Sequence, residues 1–371
     1  MYRVLLFTNT IAPYRLPVFE RLAQDVHLKV LFAQGKTTDR RWNPRLDAYT
    51  FRHAILSHHT LQMGGAAQVI NSDLPAHILR HDVDVVILGE NRQTALSGSL
   101  AALITWARRR PLIIWTGITP GEDKVAHSHP SLRRLFSGYR SLLFHHASAI
   151  VAYGTTTANY LSEQGINQDE VFSGTQVVPA SQLPSPAVSK AELGLLGKNL
   201  VLSVNYLIPR KGIDTLIKAF QQVAGSNDAL ALLGSGPEEA YLRSLADGDA
   251  RILFPGYQSG SRKTAWYAAA DLFAFPTLHD PWGLVVNEAM AFGLPIIATH
   301  AAGCVPDLVQ GNGLVVPAGD IEALASALAQ LLENEGLRRK MGQRSQAIIA
   351  DYTVERASHT FLNAIQYTLE S

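Results

Sequence analysis

Two short stretches of this 371-residue chain place charged side chains where a phosphorylated ligand would meet them. The first, Asn205-Tyr206-Leu207-Ile208-Pro209-Arg210-Lys211-Gly212-Ile213-Asp214, follows an apolar run and ends where helical spacing begins. Arg210 and Lys211 therefore stand at a helix start, whose open N–H groups and positive dipole end favour a phosphate. A solvated Arg-Lys pair beside a glycine accounts for the spacing equally well. The second stretch, residues 277–290, holds Asp280 and Glu288. If it turns helical near Gly283, the neighbours of Glu288 at three and four positions are Leu284, Val285, Ala291 and Phe292. A carboxylate on such an apolar face needs a partner. Two ribose hydroxyls would serve, and an internal cation is the alternative. The amides of Trp282, Gly283 and Leu284 would form a second helix start suited to a diphosphate, with Asp280 in the loop within reach of sugar hydroxyls.

Smaller signals accompany these. Gly234-Ser235-Gly236-Pro237 combines close backbone access with a proline at a helix's first turn. It is not the dinucleotide fingerprint, because Pro237-Glu238-Glu239 replaces the later glycine. Pro13, Tyr14 and Arg15 follow the first apolar run and form a candidate ligand contact, a proline-marked helix start being the alternative. His127, sharing a polar loop with His129, is a candidate base or sugar contact, against simple solvent exposure. Two Asp-x-Asp tripeptides, at 82–84 and 247–249, stand alone in turns or strand starts, so no metal site is expected. Cys304, the lone cysteine, follows Gly303; small size explains it better than reactivity, and it excludes an internal disulfide.

These residues must be positioned by regular elements, and the pattern supplies them. Apolar runs of strand length fall at 3–9, 28–32, 83–88, 112–116 and 149–153 in the first half. In the second they fall at 200–204, 229–233, 252–254, 272–275, 295–299 and 313–316. Longer helical patterns separate them, such as 212–224 with Ile213, Leu216, Ile217, Phe220 and Val223 on one face. Alternation of this kind indicates βαβ units and parallel sheets. A Pro- and Ser-rich segment at 179–186 reads as a linker. The chain should thus be α/β, with two doubly wound, Rossmann-like domains facing across a cleft. The boundaries expected are 1–180, a linker at 181–190, and 191–351, with a helix near 352–371 packing back on the first domain. Open sheets of this type bind ligands beyond the carboxyl ends of their strands.

Composition fits a packed globule: 47% of residues are hydrophobic and 17% charged, with a net charge of +1. A modest cationic excess in the first half is too small for a nucleic-acid partner but would suit an anionic membrane surface. No apolar stretch reaches the ~20 residues that span a bilayer, and the start enters a strand without a signal peptide's cleavage region. A cytoplasmic protein is expected. Helical spacing at 131–144 aligns Leu132, Leu135, Phe136, Tyr139, Leu142 and Leu143 beside Arg133, Arg134 and Arg140. Packing on the first sheet is favoured for this stripe, with contact to an anionic lipid surface as the alternative.

Taken together, residues 209–220, the Gly-Ser-Gly-Pro-Glu turn, the block from Asp280 to Glu288 and Asn312-Gly313-Leu314-Val315-Val316-Pro317 resemble the family-4 glycosyltransferases of GT-B fold. Four motifs occur in the family's order across residues 200–320. The opening residues 9–17 look like a subgroup acting in bacterial surface-polysaccharide assembly. The resemblance implies a retaining transfer from a UDP- or GDP-linked sugar, itself a substrate, to a lipid-linked or saccharide acceptor, without metal or other cofactor. It implies Lys211 at the donor diphosphate, Glu288 at the ribose, Asp280 beside the donor sugar, and backbone near Gly256-Tyr257 and Gly234 facing the base. Gly236, Trp282, Gly283 and Leu284 would complete the donor side, with Pro13, Tyr14 and Arg15 on the acceptor side. Two departures stand out. The family's arginine five residues before the lysine is here Tyr206, a place Arg210 would have to fill, and the glycine pair after the first strand is replaced by Ile11-Ala12-Pro13-Tyr14. A nucleotide-sugar 2-epimerase of the same architecture and a silent sugar-nucleotide-binding module are the alternatives.

Overall fold

The computed structural model describes residues 1–35, 45–63, 66–80, 82–120 and 130–370. The chain divides into two compact units, Met1–Gln176 together with Thr353–Ser371, and Val177–Tyr352. The crossing into the second unit lies just ahead of the Pro/Ser-rich segment, whose only regular feature is a short turn at Ala180–Gln182.

In the first unit the strands are β1 (Arg3–Thr10), β2 (His27–Gln34), β3 (Arg52–Ile55), β4 (His59–Met63), β5 (Ala66–Ile70), β6 (Val85–Gly89), β7 (Leu112–Thr116), β8 (Ala149–Ala152) and β9 (Val171–Ser173). Seven of them form one sheet in the order β3-β2-β1-β6-β7-β8-β9, every pair parallel. Every residue of β6, β7 and β8 is buried. That is the condition for continuous Val/Ile/Leu runs in a parallel sheet covered on both faces. The helices are α1 (Leu16–Leu22), α2 (Leu74–Arg80), α3 (Ala95–Ala107), α4 (Pro130–His145) and α5 (Thr155–Glu163). β4 and β5 form a separate antiparallel hairpin.

The second unit has β10 (Asn199–Val204), β11 (Asp228–Leu233), β12 (Ile252–Gly256), β13 (Leu272–Phe275), β14 (Ile296–Thr299) and β15 (Gly313–Val316). Their order is β12-β11-β10-β13-β14-β15, again parallel throughout. The helices are α6 (Ile213–Val223), α7 (Glu239–Leu245), α8 (Gly260–Ala269), α9 (Leu284–Ala291), α10 (Val305–Leu308), α11 (Ile321–Glu333) and α12 (Glu335–Ile349). The stripe on α6 behaves as its periodicity dictates: Ile213, Leu216, Ile217 and Phe220 are buried in one core with Leu324, Leu328 and Leu331 of α11. In each sheet the chain winds outward to one side from its first strand, then returns to wind the other way. The reversal lies between β1 and β6 in the first unit and between β10 and β13 in the second. Such switch points open a crevice at the carboxyl ends of the two strands.

The last helix, α13 (Val354–Glu370), belongs to the first unit. Its Phe361 is buried and meets Trp115 of β7 edge-on at 5.2 Å between ring centroids, while Phe19 of α1 meets the same indole at 6.1 Å. Among the described residues no helix is long and apolar enough to cross a membrane.

Candidate functional site

The loops leaving β10 and β13 are stitched together at the second unit's switch point. The Leu278 amide and the Thr277 hydroxyl both donate to the Arg210 carbonyl, at 2.8 and 3.1 Å. Gly212, with φ 62°, lies so close to the Pro276 carbonyl that any Cβ there would collide with it. Only glycine combines that left-handed backbone with that approach. The result is that Lys211 and Asp280, 69 positions apart, form a buried ion pair over the Phe275 ring, the ammonium lying 5.2 Å from the ring centroid. Arg210 donates to the His279 carbonyl at 2.9 Å and stands 3.6 Å from the same Asp280 oxygen. The other Asp280 oxygen accepts the Trp282 amide at 3.0 Å.

The electrostatics follow from this packing. Burial by itself would raise the Asp280 carboxyl, but the Lys211 ammonium, with Arg210 and the Trp282 amide, holds it below the usual carboxylate range. Burial, together with the charge of Arg210, lowers the His279 imidazole below its ordinary value. The Cys304 thiol is raised well above its usual value by burial and the nearby Asp280. A thiol held protonated is not a nucleophile, in keeping with a residue chosen for size. The sequence assigns the Trp282 amide to a ligand, whereas here it is taken by Asp280. The carboxylate sits on donors an anion would use, because a buried ammonium needs a counter-charge when nothing else supplies one.

Glu288 is likewise held by partners within the chain. Its oxygens accept from Lys263 at 2.6 Å and from the Tyr267 hydroxyl at 2.7 Å, both on α8. Its partner is thus internal, the alternative weighed against ribose. The Tyr267 phenol is raised well above its usual value by burial and by Glu288 itself. Lys263 and Tyr267 were absent from the sequence reading; their spacing of four on one helix was the available signal.

The glycine turn is also explained internally. A Cβ on Gly234 would strike the Asn205 carbonyl, and one on Gly236 the Leu207 carbonyl. The backbone that comes close is therefore the protein's own β10 loop. Gly234 donates to the Gly256 carbonyl at 3.0 Å, and Leu207 to that of Ser235 at 3.0 Å, tying the ends of β10, β11 and β12 in a row. Tyr206 and Tyr257, 48% and 41% exposed, flank this row. Gly283, with φ 95°, caps α9, which begins at Leu284.

In the first unit, Pro13–Arg15 form a single 3-10 turn running into α1. Arg15 lies over the Trp115 ring and donates to Tyr153 at 2.9 Å. His127 lies outside the described residues. The described part of the stripe at 131–144 follows the packing favoured for it, with one difference at its flank. Arg140 is not on a lipid-facing flank; it is buried and paired with Glu90 at 3.0 Å. Leu143 and Phe144 are buried, and Tyr139 donates to the Ala95 carbonyl at 3.2 Å; of the described residues of the stripe and its flank, Leu142 and Arg134 face solvent, while the side chains of Leu132, Arg133, Leu135 and Phe136 lie outside the described ones. The helix packs on its own sheet because an apolar stripe finds a partner there first. Among the described residues no three His, Cys, Asp or Glu side chains converge as a metal-holding group.

Comparison with known proteins agrees with this architecture. Residues 188–347 match the family Glycosyl transferases group 1. The chain is 32% identical over 171 residues to the lipopolysaccharide core biosynthesis glycosyltransferase LpsE of Rhizobium meliloti, a match spanning 45% of this chain and about half (49%) of that relative. It is 29% identical over 370 residues, 92% of each chain, to the GDP-mannose-dependent alpha-(1-6)-phosphatidylinositol monomannoside mannosyltransferase of Mycobacterium tuberculosis. The crystal structure of Anabaena HepE in complex with UDP shares the fold at a TM-score of 0.77 and 17% identity, over 97% of this chain and 98% of that one. The chain thus combines two Rossmann-like units of GT-B type with a segment, residues 188–347, that matches the group 1 glycosyl transferases and carries Lys211, Asp280 and Glu288.

Proposed function

We propose that this protein is a retaining glycosyltransferase that moves a hexose-type sugar from a UDP- or GDP-linked donor to a lipid-linked or saccharide acceptor, using no metal or other cofactor. The observation that carries this reading is the meeting of Lys211, Arg210 and the start of α9 at the switch point between β10 and β13. Two cations and a helix dipole are concentrated there, where open α/β sheets take their ligands. On donor binding, the diphosphate takes over Lys211 and the Trp282 amide from Asp280, which is then released toward the donor sugar. Glu288 keeps acceptor capacity beyond Lys263 and Tyr267, enough for ribose hydroxyls. Gly234, Gly236, Gly256, Tyr257 and Tyr206 lie on the base side.

The chemistry then follows from charge. The bond between the anomeric carbon and the diphosphate oxygen breaks with its electron pair on the diphosphate. The acceptor oxygen bonds the carbon from the same face, and its proton passes to the departing phosphate. Preorganised positive groups aimed at that phosphate are the main lever on the barrier, the part a metal ion fills elsewhere. The names of the relatives, in lipopolysaccharide core and phosphatidylinositol mannoside synthesis, support such an acceptor, and a lipid-linked one would be met at a membrane surface. Leu142 and Arg134 on α4 would make peripheral contact there.

A panel of UDP- and GDP-sugars, with and without acceptors, tests the reading. Nucleotide release that survives EDTA and is lost in Lys211→Ala is expected, with the anomeric configuration of the product unchanged by NMR. Epimer formed without nucleotide release would make the chain an isomerase, and binding without turnover a silent module. Glu288→Ala is expected to weaken nucleotide binding, and unchanged affinity by calorimetry would remove its ribose role.

A further inference from the structure

The two units carry comparable groups at their switch points, but one charge differs. In the second unit the cation after the first strand, Lys211, is neutralised by Asp280, which follows the strand across the switch point. In the first unit the corresponding acid is Glu90, just past β6, and the corresponding cation is Arg15, in the turn after β1. Glu90 does not reach Arg15. Its oxygens are taken by Arg140 at 3.0 Å and by the Thr116 hydroxyl at 3.0 Å, with both ion-pair side chains under a tenth exposed.

Arg15 is left with neutral partners alone among the described residues. Its Nη1 donates to Thr8 Oγ1 at 3.1 Å and Asn9 Oδ1 at 3.4 Å, and its Nη2 to the Tyr153 hydroxyl at 2.9 Å. Its Cζ rests 4.4 Å from the Trp115 ring centroid and 5.5 Å from that of Tyr14. Its Nε is enclosed and has no hydrogen-bond partner. A guanidinium is normally accompanied by an anion when it is enclosed in this way. Here it is oriented by three oxygens and two aromatic faces, keeps an unused donor, and meets no counter-charge among the described residues.

We infer that Arg15, braced by Thr8, Asn9, Tyr153 and Trp115, is an oxyanion-binding residue that receives a phosphate or carboxylate carried by the acceptor. Its planar fork matches either group. The anion binding stands on the first unit alone; its assignment to an acceptor rests on the transferase reading above.

Fluorotryptophan labelling and fluorine NMR of the full chain test this. The Trp115 line is the one missing from Trp115→Phe, and the Trp282 line, beside Asp280, reports on the second unit. Inorganic phosphate, glycerol phosphate and glucuronate are titrated separately. A saturable shift of the Trp115 line is expected, with a dissociation constant at least about tenfold higher in Arg15→Met and partly restored in Arg15→Lys. The tightest of the three probes identifies the source of the anion. The other tryptophan lines report whether each variant is folded. If the Trp115 line ignores all three probes while the Trp282 line responds to phosphate, the Arg15 site is refuted and the donor reading stands. If neither line responds, both are refuted. An Arg15→Met chain that binds as the parent does would make Arg15 a structural brace only.

Discussion

Lys211 is a buried ammonium whose charge is answered within the chain, and that sets two expectations at the scale of single residues. In Lys211→Ala, the proposed donor site loses its main cation, and turnover should fall by about 10²–10³, the range for loss of one preorganised charge-stabilising contact. Steady-state nucleotide release measures it, and a loss of less than about tenfold would move the diphosphate elsewhere. Asp280 makes a prediction in pH. Its carboxyl is held below the usual range in the folded protein, so the unfolded chain, with a value near about 3.9, binds the proton more readily. Its contribution to stability is complete above about pH 5 and is lost as the pH falls through the folded value. Asp280→Asn removes that contribution at every pH. Urea unfolding should therefore show a shallower decline between about pH 5 and pH 3 in the variant than in the parent. Equal slopes would mean the pair with Lys211 does not survive in solution.

At the scale of elements, what could be read from the chain depended on where the information lay. The eleven strands expected from apolar runs all exist, because a buried parallel strand is written as a local run of Val, Ile, Leu and Ala. The four that escaped notice lack such a run. β3 reads Arg-His-Ala-Ile with three exposed residues, β9 has three residues, and β4 and β5 are a partly polar hairpin outside the main sheet. The site divides the same way. Lys211 beside Gly212 is a local pattern. The pairing of Glu288 with Lys263 and Tyr267, 25 and 21 positions earlier, was decided by how α8 and α9 pack. Arg140 looked like part of a cationic flank because Glu90, 50 positions away, was invisible to helical spacing. The α6 stripe offers a quantitative check. Phe220 is fully buried between β-sheet and α11 residues, so Phe220→Ala should cost about 3–5 kcal/mol in urea unfolding. A cost below about 1 kcal/mol would show that the site collapses around the missing ring.

At the scale of the whole molecule, each unit has its own sheet and its own core, so damage to one should be separable from the other. Removal of residues 353–371 takes Ala357, Phe361, Ala364 and Ile365 from the first unit and uncovers Trp115. Calorimetry of the shortened chain should show one transition moved down or abolished and one kept, with tryptophan emission shifted to the red. A single transition unchanged from the parent would mean that α13 contributes nothing to the first core.

The chain enters the second unit after Gln176 and leaves it after Tyr352, so the second unit is an insertion within the first. A ribosome makes α13 after every strand of both sheets. The inserted unit therefore has all its residues available while its host still lacks the helix that covers Trp115, and domains generally fold as units during synthesis. The expected order of maturation is inside-out: the half bearing the Lys211–Asp280 pair is completed first, and the half bearing Arg15 waits for α13.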